Sequence, residues 1–365
     1  MSVPEPRGPR LRELGLRIGR FEAGEANAIT DVTGVTVGHV TVWRDEPDPP
    51  HGRGVARTGV TAVLPAPVET LHGAPVPAGM AVLNGAGELT SSMVIAEWGR
   101  IETPVYLTST HAVGRVYDGA IAAAVAADAA VGAEDFVIPV VGECDDSWLS
   151  EGRLVQVEAE DVGRAVAVAA GGSVAEGAVG AGTGMMTKGY KAGIGTASRI
   201  APSLRSAVGV LVLSNFYPPP GLVMDGVPVG DLLGEPPATR RSKAGSCIAV
   251  VAVDAPLSRH QLERVARRAG LGLARCGSVA HHGSGEIFVA FAPPGRRPRG
   301  EAPAATVPDY DLNDVFEAVV DATEEAVLNA LWAAPEVVGR LGRVGPALPH
   351  DHVLELLTAH GRLGR

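Results

Sequence analysis

An abrupt change from polar to apolar residues at position 246 is the feature that most constrains this chain. Residues 240–245 read RRSKAG and residues 246–253 read SCIAVVAV. An apolar, β-branched run predicts a strand, which we place at 248–253. A polar segment that ends in Gly-Ser therefore passes directly into a predicted strand of the core.

Other segments predict a mixture of strands and helices. Apolar alternation and β-branched residues predict further strands at 35–41, 59–64, 136–141, 207–213 and 287–291. Helical periodicity predicts helices at 117–131, 258–275 and about 312–332, the second starting with a capping box of Ser258 and Gln261. Because the order lacks a regular βαβ alternation, we expect an α+β fold. A layered sandwich with helices outside two sheets would bury both strand-rich halves.

Charge and composition restrict the partners. Asp and Glu number 41 against 31 Lys and Arg, a net charge of −10. Nucleic-acid binding needs a basic surface, so we expect no nucleic-acid partner. With 47 glycines and only 4% aromatic residues, the chain is expected to pack through small residues that let backbones approach closely.

The cysteines and the apolar segments favour a soluble cytoplasmic protein. The cysteines are Cys144, Cys247 and Cys276, odd in number and far apart, so neither a disulfide framework nor a structural zinc site is expected. The first residues are polar and resemble no export signal. No apolar run reaches 18 residues, so no membrane partner is expected.

Gly245-Ser246 has the chemistry of a self-cleaving junction. A glycine before the serine removes a Cβ clash and lets the hydroxyl reach the preceding carbonyl. After an N-to-O acyl shift and hydrolysis, Ser246 would be a new N-terminus whose amine, with a reference pKa of roughly 7.7–8.0, can act as its base. The alternative is that Gly-Ser only begins a strand. Cys247 is a competing nucleophile, but strand alternation turns it to the opposite face, where it is a small buried residue.

A second constellation lies at 276–286, which reads CGSVAHHGSGE. Ser284 and Glu286 fall on one side of an extended segment, where a hydroxyl beside a carboxylate could orient or polarise a nucleophile. The alternative is a solvated Glu after a glycine-rich turn. His281 and His282 are neighbours with no ligand spacing around them, so no metal is expected.

Several stretches in one order resemble the DmpA-type aminopeptidases, also called L-aminopeptidase/D-esterases or the P1 (S58) family, which include β-peptidyl aminopeptidases. The matching stretches are NAITDV (27–32), RTGVTAVLP (57–65), VLNGAGELT (82–90), STHAVG (109–114), VVGECDDSWL (140–149), EGAVGAGTGMMTKGYKAGIGTASR (176–199) and ATEEA (322–326). Nylon-oligomer (6-aminohexanoate oligomer) hydrolases are similar. The resemblance implies an αββα sandwich of the ornithine acetyltransferase type. It also implies one domain, 1–365, processed into 1–245 and 246–365, and a homo-oligomer of the processed units.

The resemblance also implies roles for particular residues. Ser246 matches the nucleophile, Ser284 and Glu286 its hydroxyl and acidic partners, and Asn215 an amide of the oxyanion hole. Lys191 matches a lysine at the site of the nylon-oligomer hydrolases. Taken without the family, Asn215 would be a turn residue and Lys191 a solvated charge.

One segment departs from the family pattern. Relatives carry a site tyrosine where this chain has Cys144, Asp145, Asp146, Ser147 and Trp148, and Trp148 is the nearest aromatic replacement, although its N–H can only donate. The acidic group Glu143, Asp145 and Asp146 is a candidate for binding the substrate ammonium, or it only forms a turn.

The hypothesis is a self-processing serine aminopeptidase or amidase that acts on short peptides, amino-acid amides or esters and needs no cofactor. The alternatives are an ω-amino-acid oligomer hydrolase of the nylon type, an acyltransferase, and an unprocessed binding protein. Ornithine acetyltransferases have a threonine at the position of Ser246, which counts against the acyltransferase hypothesis.

Overall fold

The computed structural model describes residues 4–217, 221–234 and 245–363. The strands in these ranges are β1 (Thr36–Arg44), β2 (Ala56–Leu64), β3 (Val76–Gly85), β4 (Arg100–Ile101), β5 (Val105–Ser109), β6 (Val140–Cys144), β7 (Met186–Thr187), β8 (Tyr190–Lys191), β9 (Ile194–Ala201), β10 (Ser206–Asn215), β11 (Gly245–Val253), β12 (Ser284–Phe291), β13 (Val337–Val338) and β14 (Val344–Gly345). The helices are α1 (Val68–Leu71), α2 (Ser92–Trp98), α3 (Val113–Ala127), α4 (Ala159–Ala167), α5 (Val229–Leu233), α6 (Arg259–Arg275), α7 (Leu312–Trp332) and α8 (His350–Ala359).

Two mixed sheets lie face to face between two layers of helices. The smaller sheet has the order β1-β2-β5-β6, and the larger has the order β4-β3-β12-β11-β10-β9. One apolar cluster fills the space between the sheets, a second lies under α3 and α4 on the smaller sheet, and a third lies under α6 and α7 on the larger. This αββα sandwich confirms the expected fold class.

Strand β11 runs through the middle of the larger sheet. It pairs antiparallel with β10 and parallel with β12, and every residue from Gly245 to Val253 is buried. Cys247 and Ala249 pack towards the helices, whereas Ile248 and Val250 pack between the sheets. An unbroken apolar run is needed here because both faces of the strand are covered.

Small residues set the distance between layers, as the glycine content predicts. A Cβ on Gly195 of β9 would lie 1.9 Å from the carbonyl oxygen of Ala326 on α7. The backbone of the helix therefore rests directly on the strand, which any side chain at position 195 would prevent.

Most predicted elements are present, and two are displaced. The helix predicted at 117–131 is α3, which ends earlier because Asp128 turns the chain and accepts a hydrogen bond from the backbone N–H of Ala130. The strand predicted at 136–141 begins only at Val140, since Pro139 cannot donate to a ladder and Phe136 is 55% exposed. The capping box of Ser258 and Gln261 at the start of α6 is confirmed.

Strands β3, β5 and β9 are absent from the sequence predictions, because their glycine, proline and polar residues weaken the apolar pattern. Within the described ranges, no helix combines the length and apolarity that a membrane span requires.

Candidate active site

Ser246 is the second residue of β11, and its side chain faces the space between the sheets. It is 5% exposed and pairs with Asn215 on β10 and Gly285 on β12. The preceding position is tightly enclosed: a Cβ on Gly245 would lie 2.8 Å from the backbone nitrogen of Tyr217 and 3.0 Å from the carbonyl oxygen of Asn215. Only glycine fits there, because the surrounding atoms belong to the backbone.

A cleft of about 370 Å³ opens beside Ser246. Its lining residues come from five separate segments: Ala86, Gly87, Glu88, Thr110, Glu143, Asp145, Gly245, Ser246 and Gly283. Among these lining residues three are carboxylates and none is cationic. The cleft therefore has a negative potential that attracts a cationic group towards the serine.

Glu143, on β6, is the buried carboxylate of this cleft. Its Oε1 accepts a hydrogen bond from the backbone N–H of Glu88 at 3.0 Å, and its Oε2 accepts one from the hydroxyl of Thr110. Burial raises the pKa of Glu143, against the effect of these two hydrogen bonds, and the charges of Asp145 and Glu88 raise it further. A cationic ligand would relieve this accumulation of negative charge.

The other candidate residues of the 143–148 segment differ in location: Asp145 lines the cleft, whereas Asp146 and Trp148 do not. Asp145 lines the cleft, and its Oδ1 accepts a hydrogen bond from the backbone N–H of Ser147. Asp146 is buried, and its carbonyl accepts the N–H groups of residues 149 and 150, which forms a turn. Trp148 stacks under the guanidinium of Arg343 at 4.2 Å and does not line the cleft.

Asn215 is held in one orientation on the same side of the sheet as Ser246. Its Oδ1 accepts a hydrogen bond from the backbone N–H of Met186, and its Nδ2 donates to the carbonyl of Asp145, both at 2.9 Å. The amide oxygen is therefore fixed towards β7, and the amide nitrogen points towards the segment that lines the cleft.

Lys191 lies on β8 and is fully buried. Its ammonium donates to the carbonyl oxygens of Gly182, Met185 and Ala192 at 2.6–2.9 Å, which uses all three of its N–H groups. Burial lowers the pKa of Lys191 well below its ordinary value, although the charge of Asp146 opposes this. In this structure the lysine stabilises the backbone around 182–192 and does not line the cleft.

Ser284 and Glu286 form a hydrogen-bonded pair on β12. The Ser284 hydroxyl donates to Oε1 of Glu286, and both side chains are at most 1% exposed. Within the described residues, the other carboxylate oxygen, Oε2, has no hydrogen-bond partner. Burial raises the pKa of Glu286, against the effect of the Ser284 hydrogen bond.

The register places this pair beside the backbone of the Gly245-Ser246 junction. Ser284 is opposite Gly245, and Glu286 is opposite Cys247. Side chains alternate along a strand, so the pair projects to the side opposite the Ser246 hydroxyl. It therefore flanks the Gly245-Ser246 peptide group, a position that the sequence alone could not give.

Cys247 is fully buried in the apolar cluster beneath α6 and α7, as expected. The other two cysteines are also buried, and all three are free thiols. The parts of the chain that the structure describes contain no group of three His, Cys, Asp or Glu residues arranged to hold a metal ion.

Sequence reasoning did not single out Glu88 and Thr110. Glu88 is an exposed residue of the cleft, and Thr110 binds the carboxylate of Glu143. Both belong to stretches that carry the family resemblance, but a lone Glu or Thr in a loop has no pattern that marks it as part of a site.

Two solved structures resemble this chain in both fold and sequence. The L-aminopeptidase D-Ala-esterase/amidase from Ochrobactrum anthropi, whose structure is described as a new variant of the Ntn hydrolase fold, is 38% identical to this chain. The match has a TM-score of 0.90 and covers 98% of this chain and 100% of that one. A Burkholderia sp. β-aminopeptidase is also 38% identical, with a TM-score of 0.86 over 97% of this chain and 99% of that one. The chain has the Ntn hydrolase fold.

The chain belongs to peptidase family S58, whose sequence profile matches residues 27–345. The β-peptidyl aminopeptidase BapA of Sphingosinicella microcystinivorans is 40% identical to it over 376 aligned residues, which are 98% of this chain and 93% of that protein. The protein is therefore a hydrolase of peptide or amide bonds of the aminopeptidase type, and the resemblance noted in the sequence is confirmed.

Proposed function

We propose that this protein is a self-processing serine aminopeptidase that cleaves its own chain between Gly245 and Ser246 and then uses Ser246 as its nucleophile. The position of Ser246 supports this most strongly. The serine begins a buried strand, follows a position where only glycine fits, and opens onto an acidic cleft. A serine that merely started a strand would need neither the enclosed glycine nor the cleft.

In the proposed chain cleavage, the Ser246 hydroxyl attacks the carbonyl carbon of Gly245. The Gly245–Ser246 C–N bond breaks as the ester forms, and the hydroxyl proton passes to the departing nitrogen. Water then hydrolyses the ester. The products are a carboxylate on Gly245 and a free α-amine and hydroxyl on Ser246, so the fragments are 1–245 and 246–365.

The Ser284–Glu286 pair would then bind the new α-amine. Oε2 of Glu286 is buried without a hydrogen-bond partner in the described residues, and an unsatisfied buried oxygen is costly. The pair flanks the backbone at which cleavage produces an amine. A charge-assisted hydrogen bond to that group would satisfy Oε2 and orient the amine as the base of the serine.

In turnover, Ser246 would attack the carbonyl of the substrate while its α-amine accepts the hydroxyl proton. The side-chain N–H of Asn215 would stabilise the developing oxyanion, a contribution that is typically about 2.7–4 kcal/mol. The amine of the leaving group takes up the proton, and water hydrolyses the acyl-enzyme to release the acid and restore the serine.

The cleft supports a substrate with a free ammonium group. Glu143 and Asp145 face the space in front of Ser246, and Glu88 adds a third negative charge. We infer that the ammonium of the substrate binds to Glu143 or Asp145, and that substrates are short peptides, amides or esters with a free N-terminus. β-Amino-acid residues belong in this class, since relatives include proteins named β-peptidyl aminopeptidases.

The experiment that tests the proposal is intact-protein mass spectrometry combined with a turnover assay. Two fragments, 1–245 and 246–365, are expected for the wild type, whereas Ser246→Ala should remain one inactive chain. An active wild type that remains full length would refute self-processing. A wild type that hydrolyses an amino-acid amide and its N-acetyl derivative equally well would refute ammonium recognition and leave a general amidase.

We also propose that processed units assemble into a homo-oligomer in the cytoplasm. Exposed apolar side chains support assembly: Val82 and Leu83 on β3 are 54% and 57% exposed, and Met93 is 85% exposed. Three free cysteines suit a reducing compartment. Light scattering should report a multiple of the processed unit, and a single unit at working concentration would contradict assembly.

A further inference from the structure

The turn that leads into β12 forms part of the cleft wall. Gly283 lines the cleft, and Ser284 is the first residue of β12. Ala280, in the same turn, has a φ of 49°. For a residue with a Cβ this left-handed conformation costs about 1–2 kcal/mol, and it persists only where surrounding contacts hold it. The turn therefore depends on contacts with other parts of the chain.

The side chain of Asn84, on β3, makes such contacts. Its Nδ2 donates to the carbonyl oxygens of His281, His282 and Ser284 at 2.9, 3.3 and 2.5 Å. An amide group has two N–H donors, so the three acceptors share them. One side chain thus connects the backbone on both sides of Gly283 to β3.

A β-bulge accompanies Asn84 at this place. Glu286 of β12 is opposite Asn84, whereas Ile287 is opposite Val82, so Leu83 is an extra residue on β3. Bulges are frequent beside active sites, where they re-aim a side chain. Because the regular ladder between β3 and β12 is interrupted here, the amide adds hydrogen bonds where backbone pairing is weakest.

We propose that Asn84 is a positioning residue, which fixes the 281–284 turn and with it the Ser284–Glu286 pair. The carbonyl of Ser284 accepts the amide of Asn84 and also the backbone N–H of Ala86, the latter at 3.3 Å. Because the backbone of Ser284 is held by two donors, its hydroxyl keeps its direction towards Glu286.

The location of Asn84 restricts what it does in the reaction. In the described part of the chain it is not among the residues that line the cleft, so it acts through the Ser284–Glu286 pair and not on the substrate. Its amide does not titrate, so it takes no part in proton transfer. A displacement of reacting groups by about 1 Å can cost about 10²-fold in rate. Loss of the amide would permit such a displacement, since the turn loses the contacts that hold it.

The inference rests on the proposed role of Ser246 and is tested with two variants of Asn84. Asn84→Ala removes the amide. Asn84→Asp keeps the shape of the side chain but replaces the donor with an acceptor, so the comparison does not depend on one variant. We expect both to lose about 10- to 100-fold in kcat per processed site and in the rate of chain cleavage. KM for an amino-acid amide should stay within about twofold, because Glu143 and Asp145 are unchanged.

Asn329→Ala is the matched control for a purely structural loss. The amide of Asn329, on α7, also donates to a backbone carbonyl, that of Thr196, at 2.9 Å. Helix α7 contributes no residue to the lining of the cleft. We expect this variant to lose stability in urea unfolding while its kcat stays within about twofold of the wild type.

The outcomes separate positioning from packing and from the proposed function. If an Asn84 variant has the kcat and the cleavage rate of the wild type, or if only its KM changes, Asn84 does not position the pair. If Asn329→Ala loses as much kcat as the Asn84 variants at an equal loss of stability, the effect of Asn84 is one of packing. Wild-type protein that is neither cleaved nor active would refute the proposed function, and this inference with it.

Discussion

Two buried glutamates of the 246–365 segment, Glu286 and Glu325, have opposite electrostatic environments. Glu286 has one hydroxyl donor and an unsatisfied oxygen, and burial raises its pKa. Glu325, on α7, is also buried, which opposes ionisation. However, Arg199 at 2.5 Å and Arg12 at 2.9 Å outweigh the burial and lower its pKa to about 2.

The difference separates a carboxylate that is stabilised from one that is available for binding. Glu325 has its charge neutralised within the fold, and its partners lie in the 1–245 segment, so it joins the two proposed fragments. Among the described residues, no cationic side chain pairs with Glu286 or Glu143. Glu286 lies beside the junction and Glu143 lines the cleft. A carboxylate whose compensating charge comes from a ligand or a new amine has this character.

The largest expected effect is that of Glu286→Gln on turnover. The amide keeps the shape of the side chain but cannot form a charge-assisted bond with the α-amine of Ser246. We expect kcat to fall by about 10²–10⁴-fold, the range for loss of acid–base assistance, with a free energy of unfolding near that of the wild type. Steady-state kinetics and urea unfolding measure the two quantities. A variant with the kcat of the wild type would show that Glu286 has no role in turnover.

Glu325→Gln should have the reverse outcome. It leaves the fully buried Arg199 without its carboxylate, which typically costs about 3–5 kcal/mol of unfolding free energy. Its kcat per processed site should remain within about twofold of the wild type, because α7 contributes no residue to the lining of the cleft.

The control for this prediction is Glu324→Gln. The partner of Glu324 is Arg275, whose side chain is 49% exposed and stays hydrated when the carboxylate is removed, so we expect a smaller loss. Equal losses in the two variants would show that burial of the cation does not decide the cost.

Glu143→Gln is expected to weaken binding of the substrate ammonium. A hydrogen bond to a charged group contributes about 1.5–3 kcal/mol, so KM for an amino-acid amide should rise about 10-fold or more. Chain cleavage should proceed normally, because the junction presents no ammonium. Asp145→Asn is the matched variant on the cleft wall. If neither variant changes KM, the acidic wall does not recognise the substrate.

The smallest effect is in the pH dependence of stability. The pKa of Glu325 is about 2 in the fold and about 4.3 in an unfolded chain. Its contribution is therefore complete above about pH 4.3 and is lost as the pH falls towards 2. The difference in unfolding free energy between wild type and Glu325→Gln should shrink between pH 5 and pH 3. A constant difference over that range would contradict the low pKa.

For Glu286 and Glu143, the change of stability with pH has the opposite sign to that for Glu325. Their raised pKa values mean that the folded state holds protons which the unfolded chain has released. Their contribution to stability therefore falls as the pH rises through the interval between the two pKa values.

The local pattern of the sequence was sufficient for the elements that carry the strongest periodicity. Helix α7 has the predicted bounds, and the start of α6 follows from the hydroxyl and amide of its capping box. The strand after Gly245-Ser246 follows from its apolar run. These features depend on the chemistry of neighbours along the chain, so they can be predicted without the fold.

The family resemblance named the candidate site but could not describe its contacts. Lys191 and Trp148 were predicted near the substrate, yet in the structure one binds three backbone carbonyls and the other stacks on an arginine. Whether they contact substrate stays a prediction. Glu88 and Thr110 are part of the site because they bind Glu143, which lies 33 or more residues further along the chain. Only the structure shows these contacts.

The α+β class and the Gly245-Ser246 junction follow from the sequence pattern, whereas the αββα type and the candidate residues around the junction follow from the family resemblance. The tertiary structure decided which carboxylates are neutralised and which remain available. The same packing places the Ser284–Glu286 pair beside the backbone at the junction. The physical reason is that pKa and hydrogen bonding depend on burial and on charges from distant segments, and only the packing of two sheets brings those segments together.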